Sequence, residues 1–246
     1  MYEQHEVFQA PENTNVKLWR YMDFTKLVSL LDRKALFFAR ADRLGDPFEG
    51  SYSLATIAAR PAVFGEQAEA INTSGASFFR ALVKWTAINC WHMQEYESAA
   101  MWDIYARSGY GVAVRTTFAG LTESLRCEEP VYVGKVHYID YVHDLMPHQN
   151  AFFPFVHKRR SFSHENELRA LIQAIPMPRN GEQIDLEKET FIAGKYVEVD
   201  LNHLIQKIYV APLSPQWFVD LVRSVIRLYQ LSIDVRQSAL DKDPIF

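Results

Sequence analysis

The segment Glu165-Asn166-Glu167 places two carboxyl groups two residues apart, directly before a run that alternates apolar and polar residues as a β-strand does. On an extended backbone, side chains two residues apart lie on the same face, about 6.6 Å apart along the strand, so Arg169 would share that face. Two such carboxylates can bind a metal ion, divide the roles of general acid and base, or form ion pairs with Arg169 and Lys158. The sequence leaves these three interpretations open, and Lys158 and Arg169 are candidate ligand contacts.

A second polar group lies near the middle of the chain, where an apolar strand pattern ends in His92 and a helical pattern opens with Glu97. A histidine at that position can act as a general acid or base, or it can simply bind Glu97. Ser98 can equally satisfy free N–H groups of the first helical turn. The candidate ligand contacts of this segment are Trp91, Glu97, Ser98 and Trp102. For Trp102, whose spacing is helical, a place in the core is the alternative.

A charged loop between two predicted elements supplies further candidates. Proline fixes one dihedral angle and pushes the residue before it out of helical geometry, so Gly45-Asp46-Pro47 predicts a constrained turn. Charged loops at strand ends are common binding positions, although their side chains are more often only solvated. We therefore take Asp46 and Glu49 as candidate ligand contacts.

The elements that must position these groups follow from hydrophobic periodicity, caps and turns. The stretch 85–115 reads as strand, helix and strand, with the helix over 97–107. Asp23 is the predicted N-cap of a helix that follows the first strand, and Ser214-Pro215 opens the last helix. The predicted strands cover 16–22, 35–39, 111–114, 130–141 with a bulge at Gly134, 168–175, 196–200, 205–210 and 233–235. Two helices are expected within 51–84, broken at Pro61 and at 73–75, and another over 118–125.

Interleaved strands and helices without strict alternation predict an α+β fold, with one domain whose mixed, mostly antiparallel twisted sheet is flanked by helices. We expect a polar N-terminal lead over 1–15, the domain over 16–240 and a C-terminal tail over 241–246. The oligomeric state is not predicted.

The composition narrows the functional classes. The chain has 246 residues, a net charge of −4 and a pI near 6.1, which argues against a broad basic face for duplex nucleic acid. Its two cysteines lack CxxC spacing, and no apolar run approaches the roughly 20 residues of a membrane span. We expect a cytoplasmic protein that binds neither duplex nucleic acid nor membrane.

Several catalytic motifs are missing from the sequence. It contains no P-loop, no dinucleotide-binding glycine fingerprint, no GxSxG and no HExxH spacing. A metal site is therefore not predicted, and no cofactor is required.

The chain resembles the bacterial family called domain of unknown function 2971 in three segments taken together. They are DPFEG, CWH followed by ES and MW, and the pattern K, F, E, E, R around 158–169. Their order and spacing match over about 16–240. The resemblance implies a bacterial protein of that family and marks positions, but it names no reaction.

The Glu-x-Glu segment is also similar to the signature of ADP-ribosyltransferases of the Arg–Ser–Glu type. That resemblance implies that Arg20 on the first strand holds the phosphates of NAD and that Glu167 stabilises an oxocarbenium-like centre, with Glu165 beside it. The middle strand departs from the pattern, since it carries Thr86-Ala87-Ile88-Asn89-Cys90-Trp91-His92 where those enzymes have a serine.

Two hypotheses follow. The first is an NAD-dependent ADP-ribosyl transfer or NAD glycohydrolase enzyme, with Glu167 catalytic and Glu165 and His92 supporting it. Arg20 and Lys158 would bind phosphate through charge-assisted hydrogen bonds, and NAD would be the small-molecule substrate. The alternative is a non-catalytic domain of a bacterial stress or phage-response system that recognises a ligand or a partner in the same cleft.

Overall fold

The computed structural model describes residues 1–105, 109–178 and 182–240. The end of the predicted helix over 97–107 and the predicted tail over 241–246 lie outside these residues. Within them, no helix combines the length and the apolar character needed to cross a bilayer.

Strands and helices are interleaved along the described chain, as the sequence predicts. The strands are β1 Tyr2–Glu3, β2 Lys17–Asp23, β3 Ala35–Arg40, β4 Thr86–Met93, β5 Gly111–Thr117, β6 Val131–Lys135, β7 His137–Ile139, β8 His157–Arg159, β9 Glu167–Gln173, β10 Gly194–Glu198, β11 Lys207–Val210 and β12 Asp234–Gln237. The helices are α1 Phe24–Arg33, α2 Leu54–Phe64, α3 Ala68–Ala70, α4 Ala76–Lys84, α5 Ala99–Tyr105, α6 Phe118–Ser124, α7 Phe153–Val156, α8 Leu201–Leu204 and α9 Gln216–Leu228.

The main sheet is mixed and mostly antiparallel, which confirms the predicted α+β class. Ten strands form it, and its principal path runs β1-β6-β9-β4-β2-β5-β11-β12. The pairs β1–β6 and β11–β12 are parallel, while β4 pairs antiparallel with β9, β2 and β3. Strand β10 extends the branch that begins at β3. The strands β7 and β8 form a separate parallel pair.

The turn from β2 into α1 forms as local sequence rules dictate. The carboxylate of Asp23 accepts the backbone N–H of Lys26, as an N-cap does, and Leu27, Leu30 and Leu31 bury one side of the helix. Lys34 adopts a left-handed conformation (φ 47°) that ends the helix and leads directly into β3. This short connection fixes β2 and β3 as neighbours along the chain.

Helices cover both faces of the sheet. The larger core packs one face against α1, α6 and α9, and it contains Leu18, Met22 and Trp91. The other face packs against α4 and α7 around Trp85 and Phe155. The alternation along β2 therefore sends Leu18 and Met22 to one face, and Trp19 and Tyr21 to a third cluster on the opposite face.

Two features of the helices differ from prediction. Pro61 lies inside α2 and does not break it, and both Pro61 and Ile57 are exposed. Because proline has no N–H, the Ile57 carbonyl loses its helical partner, but at an exposed position water can replace that partner. Ser214 was expected to cap α9, yet Pro215 is the N-cap residue and Ser214 donates a 2.7 Å hydrogen bond to the Gly109 carbonyl.

Residues of the predicted N-terminal lead pack against the domain. Tyr2 and Glu3 pair with β6, and Val7 and Phe8 are buried. This packing also explains Gly134, which does not form the predicted bulge because it pairs in register with Arg169. A Cβ at Gly134 would lie 2.8 Å from the backbone of Phe8. Glycine is required there because the N-terminal segment crosses β6 at backbone distance.

Substitution of Gly134 tests this close approach. We expect Gly134→Ala to lower the free energy of unfolding by about 1–3 kcal/mol, since the Phe8 backbone must move. The matched control is Gly75→Ala, whose φ of −64° suits any residue and whose Cβ would meet only ordinary contacts at 3.6 Å or more. That change should leave stability equal or raise it by about 0.4–1 kcal/mol. Urea denaturation of both variants measures the difference, and equal effects would contradict the assignment.

Candidate functional site

The sheet forks at β4. One edge of this strand pairs along its length with β9, but the other edge is shared by two strands. Strand β2 pairs with it only at His92 and Met93, and β3 pairs only at Ala87 and Ile88. Residues 89–91, which lie between these two pairings, have no strand partner on that edge among the described residues. The fork therefore leaves a gap in the sheet where backbone groups and side chains from both faces meet.

A cleft of about 470 Å³ occupies the fork. Most of the residues predicted to act in catalysis or ligand binding line it, namely Arg20, Trp91, His92, Lys158, Glu165, Glu167 and Arg169. Register places Trp19 opposite His92, so Arg20, the next residue, projects to the other face of the sheet. The gap joins the two faces, and groups that a continuous sheet would separate share one cavity.

Arg20 enters the fork as a cation without a carboxylate partner among the described residues. Its Nη1 donates a 2.7 Å hydrogen bond to the Cys90 carbonyl, one of the backbone groups that the fork leaves unpaired. Its guanidinium lies 6.0 Å from the ring centroid of Trp91. Burial lowers the pKa of Arg20, with smaller opposing effects from Cys90 and Tyr105. A desolvated guanidinium without an anion is suited to bind one from a ligand.

The two glutamates of the cleft lie on different secondary-structure elements. Glu167 is the first residue of β9, whereas Glu165 ends a turn of 3₁₀-helix. Between them Asn166 is left-handed, with φ 37°, so the extended spacing predicted for the pair is wrong. Lys158 nevertheless brings the carboxylates together, because its Nζ binds Glu165 and lies 3.1 Å from Glu167 Oε2.

Arg169 lies behind this pair, fully buried, and holds two carboxylates. Its Nε and Nη2 bind the two oxygens of Glu167 at 2.8 and 3.2 Å. Its Nη1 and Nη2 bind the two oxygens of Glu49 at 2.5 and 2.8 Å, and Nη1 also donates to the Phe155 carbonyl at 2.7 Å. The ion pairs that were one of three interpretations of Glu-x-Glu are therefore present.

The charges around Lys158 give the glutamates different proton affinities. Burial would raise the pKa of Glu167, but Arg169 and Lys158 outweigh it and lower that pKa, so the carboxylate stays ionised. Burial raises the pKa of Glu165 above its ordinary value despite the opposing effect of Lys158. Glu167 is thus a fixed negative charge, and Glu165 is the better proton acceptor.

His92 is held in one tautomer. Its Nδ1 lies 2.5 Å from the backbone carbonyl of Glu165, and a carbonyl only accepts, so Nδ1 carries the hydrogen. Burial lowers the pKa of His92, which keeps the ring neutral. His92 does not bind Glu97, the partner that sequence reasoning offered as its alternative role.

Five predicted ligand contacts do not line the cleft. Glu49 binds Arg169, and Asp46 binds Arg159 with an Oδ1 to Nη2 distance of 2.7 Å, so these acidic residues fasten the 44–50 loop to β8 and β9. The other three belong to the start of α5 and are Glu97, Ser98 and Trp102. Their predicted role in ligand binding gains no support from the cleft and stays a prediction.

The contacts at the start of α5 fit the alternatives that the sequence offered. Ser98 Oγ accepts the backbone N–H of Met101, and Trp102 is buried with its Nε1 donating to Glu97 Oε2 at 3.1 Å. Ser98 also donates its backbone N–H to the hydroxyl of Tyr21 at 2.9 Å.

Other cleft residues were not among the candidates. They include the aromatic residues Tyr21, Phe37 and Tyr196 and the basic residues Lys26 and Arg43. Phe37 and Tyr196 form an exposed pair with ring centroids 5.0 Å apart, across the register of β3 and β10. A local pattern does not reveal this pair, since it depends on two strands distant in sequence.

Metal ligation is not indicated by the part of the chain that the structure describes. It contains no group of three or more His, Cys, Asp or Glu side chains arranged to hold an ion. Cys90 faces Glu167, and burial together with that carboxylate raises the pKa of its thiol well above the ordinary value.

Loss of the Arg169 guanidinium tests how far the site depends on it. We expect Arg169→Met to lower the free energy of unfolding by about 3–5 kcal/mol, because Glu49 would remain buried without a partner. Arg160→Met is the control, since Arg160 is exposed and pairs with Asp144 at the surface, and exposed pairs contribute about 0–1 kcal/mol. Chemical denaturation measures both, and similar losses would show that the buried network is not what stabilises the site.

Comparison with known proteins gives little beyond a distant likeness of fold. No protein-family model matches the chain, so the resemblance to domain of unknown function 2971 is not confirmed. No curated protein matches it either.

Two solved structures of DarT from Thermus sp. 2.9 are similar. The complex with carba-NAD+ has a TM-score of 0.38 and 9% identity, covering 93% of this chain and 96% of that chain. The complex with ADP-ribosylated ssDNA has a TM-score of 0.39 and 9% identity, covering 94% and 96%. Neither identity nor TM-score is high enough to transfer residue roles or an activity.

The partners predicted from composition need one correction. Only duplex nucleic acid was excluded, and this prediction is corrected because DarT in the second complex holds ADP-ribosylated ssDNA, a nucleic acid that the predicted partners did not include. The prediction was based on the net charge of −4, and a whole-chain charge does not describe a local cleft. In this cleft, basic residues outnumber acidic ones among the lining side chains.

Proposed function

We propose that the cleft binds NAD and that the protein transfers ADP-ribose from it to an acceptor or hydrolyses it. The observation that carries this proposal is the convergence of Arg20, His92 and Glu167 on one cavity across the fork of the sheet. Its volume of about 470 Å³ lies within the range of roughly 300–1,000 Å³ typical of small-molecule sites. The similarity of the order Arg20, Glu165, Glu167 to the Arg–Ser–Glu signature gives further support.

Each part of NAD has a suitable counterpart. The guanidinium of Arg20, which has no carboxylate partner among the described residues, would bind the diphosphate through charge-assisted hydrogen bonds. Aromatic side chains supply faces for the planar rings, with Trp91 beside Arg20 and Tyr105 near the glutamates. The ionised Glu167 would face the ribose carbon that becomes positively charged.

The reaction breaks the bond between C1′ of the ribose and the nicotinamide nitrogen. Nicotinamide leaves with the electron pair of that bond and becomes neutral, while positive charge develops on the ribose. The fixed negative charge of Glu167 stabilises this charge. An acceptor, or water in hydrolysis, forms the new bond to C1′, and its proton passes to Glu165, whose raised pKa makes it the better base.

One observation favours the second candidate, a domain that binds the nucleotide without turnover. Both oxygens of Glu167 already accept hydrogen bonds from Arg169, and Oε2 also binds Lys158. A carboxylate held this firmly is the expected state of a structural ion pair as well as of a preorganised catalytic group. Release of nicotinamide would distinguish an enzyme from a domain that only binds the nucleotide.

Release of nicotinamide is the direct test. We expect the purified protein to release nicotinamide from NAD, with water, proteins and single-stranded DNA offered as acceptors. Glu167→Gln should abolish release, but it also breaks a buried ion pair, so its folded state must be verified by circular dichroism. NAD binding without release would establish the second candidate, and neither binding nor release would overturn both.

Arg20 gives a cleaner variant, because no carboxylate in the described part of the chain pairs with it. Arg20→Met keeps an apolar stem beside Trp91 and removes a partly buried charge, so the melting temperature should stay equal or rise. Affinity for NAD should fall by about 10- to 100-fold, as expected for hydrogen bonds to a charged group. Arg223→Met on the exposed side of α9 is the control and should change neither quantity. Unchanged affinity in Arg20→Met would exclude Arg20 as the phosphate ligand.

The pKa of Glu165 predicts the acid limb of the rate profile. Because burial raises that pKa, the rate should fall, as pH decreases, at a higher pH than for an ordinary glutamate. Lys158 lowers the pKa of Glu165, so Lys158→Met should move the limb to still higher pH. Lys195→Met, which removes a surface pair with Glu129, should leave it in place. A limb that does not move in Lys158→Met would contradict Glu165 as the base.

A further inference from the structure

Two adjacent residues of β4 carry buried polar atoms that have no hydrogen-bond partner among the described residues. They are Nε1 of Trp91 and Nε2 of His92. The two side chains are only 1% and 4% exposed, and both line the cleft at the fork. Unpaired buried donors and acceptors are rare in folded proteins because they lose hydrogen bonds to water without replacement. Both residues line one cavity, which points to a ligand that completes their hydrogen bonds.

The chemistry of each atom defines what it lacks. Indole Nε1–H is a donor only, so Trp91 requires an acceptor. The Nδ1 hydrogen of His92 is committed to the Glu165 carbonyl, and the ring is neutral, so Nε2 is an acceptor and requires a donor.

The two atoms belong to opposite faces of the sheet, since neighbours on a strand alternate. Trp91 faces the side of Arg20, whose guanidinium lies 6.0 Å from its ring centroid. His92 faces the other side, where it pairs in register with Glu167. The acceptor that Trp91 Nε1 requires therefore lies near Arg20, at the anion-binding end of the cleft. The donor that His92 Nε2 requires lies near the glutamates.

We infer that a phosphate oxygen of the bound dinucleotide accepts from Trp91 Nε1, while an O–H or N–H group at its reactive end donates to His92 Nε2. The inference rests on the proposed function and assigns His92 as a specificity-determining contact. The donor is a hydroxyl of the ribose next to nicotinamide or the nicotinamide carboxamide. Both atoms are buried, so neighbouring side chains rotate when the ligand binds, as is common where ligands dock.

A chemical double-mutant cycle tests the contact at His92. Carba-NAD is the probe, because its carbocycle prevents cleavage and calorimetry then measures binding alone. Three analogues of it lack the 2′-hydroxyl, lack the 3′-hydroxyl, or carry a carboxylate in place of the carboxamide. We expect one of them to bind the wild-type protein about tenfold more weakly than carba-NAD. His92→Phe should bind carba-NAD about tenfold more weakly than the wild-type protein does. That variant should bind the same analogue as tightly as it binds carba-NAD.

The outcomes separate this inference from the proposed function. Wild-type protein that fails to bind carba-NAD overturns the proposed function itself. If the wild-type protein binds carba-NAD, but each analogue loses the same affinity in His92→Phe as in the wild-type protein, only the contact at His92 is overturned. His92→Gln keeps both a donor for Glu165 and an acceptor, and it should retain most of the affinity. If His92→Phe does not fold, equal wild-type affinities for all four compounds overturn the contact.

Trp91→Phe tests the other end of the ligand. It keeps an aromatic ring near Arg20 but removes the indole N–H, so carba-NAD and ADP-ribose, which share the diphosphate, should both bind about five- to tenfold more weakly. Trp217→Phe on α9, where the indole is 57% exposed, is the control. Unchanged affinity for both compounds in Trp91→Phe would overturn the contact with phosphate.

Discussion

The guanidinium of Arg169 is the interaction on which the site depends. It is completely buried and reaches three parts of the chain, because it binds Glu167 on its own strand, Glu49 in the preceding loop and the carbonyl of Phe155. A charge in such a place is tolerated only when its donors are paired, and here hydrogen bonds to two carboxylates and a carbonyl provide that pairing. The same bonds fix the position of Glu167 and, with Lys158, keep it ionised. The position and charge state of the candidate catalytic group thus follow from one buried network.

The fork of the sheet is the second constraint, and it acts in the opposite sense. Arg169 has a full set of partners, whereas Arg20 has a single backbone hydrogen bond and no carboxylate among the described residues. The difference arises because β2 and β3 diverge on β4 and leave residues 89–91 without a strand partner on that edge. A continuous sheet would put Arg20 and His92 on separate faces. The gap gives them a common cavity, in which one arginine serves structure and the other is available to a ligand.

Local rules predicted the elements well and the contacts between them less well. Asp23 was recognised as a cap because its partner lies three residues away, and the strands within 85–115 follow from hydrophobic periodicity. The fork depends on pairing between distant strands, which no local pattern contains. The two glutamates were expected on one extended face, but the left-handed Asn166 separates them and Lys158 reunites them. Asp46 and Glu49 were predicted as ligand contacts on a charged loop, but both are buried against arginines that lie more than a hundred residues later.

Two ion pairs join the 44–50 loop to the strands β8 and β9, and they restrict how the sequence can change. Loss of Arg159 alone would leave the buried Asp46 carboxylate without its counterion, and loss of Arg169 alone would do the same to Glu49. Substitutions at these positions are therefore expected to be inherited in pairs, or not at all. Among related chains, co-variation between position 49 and position 169 would mark this architecture even where overall similarity has faded.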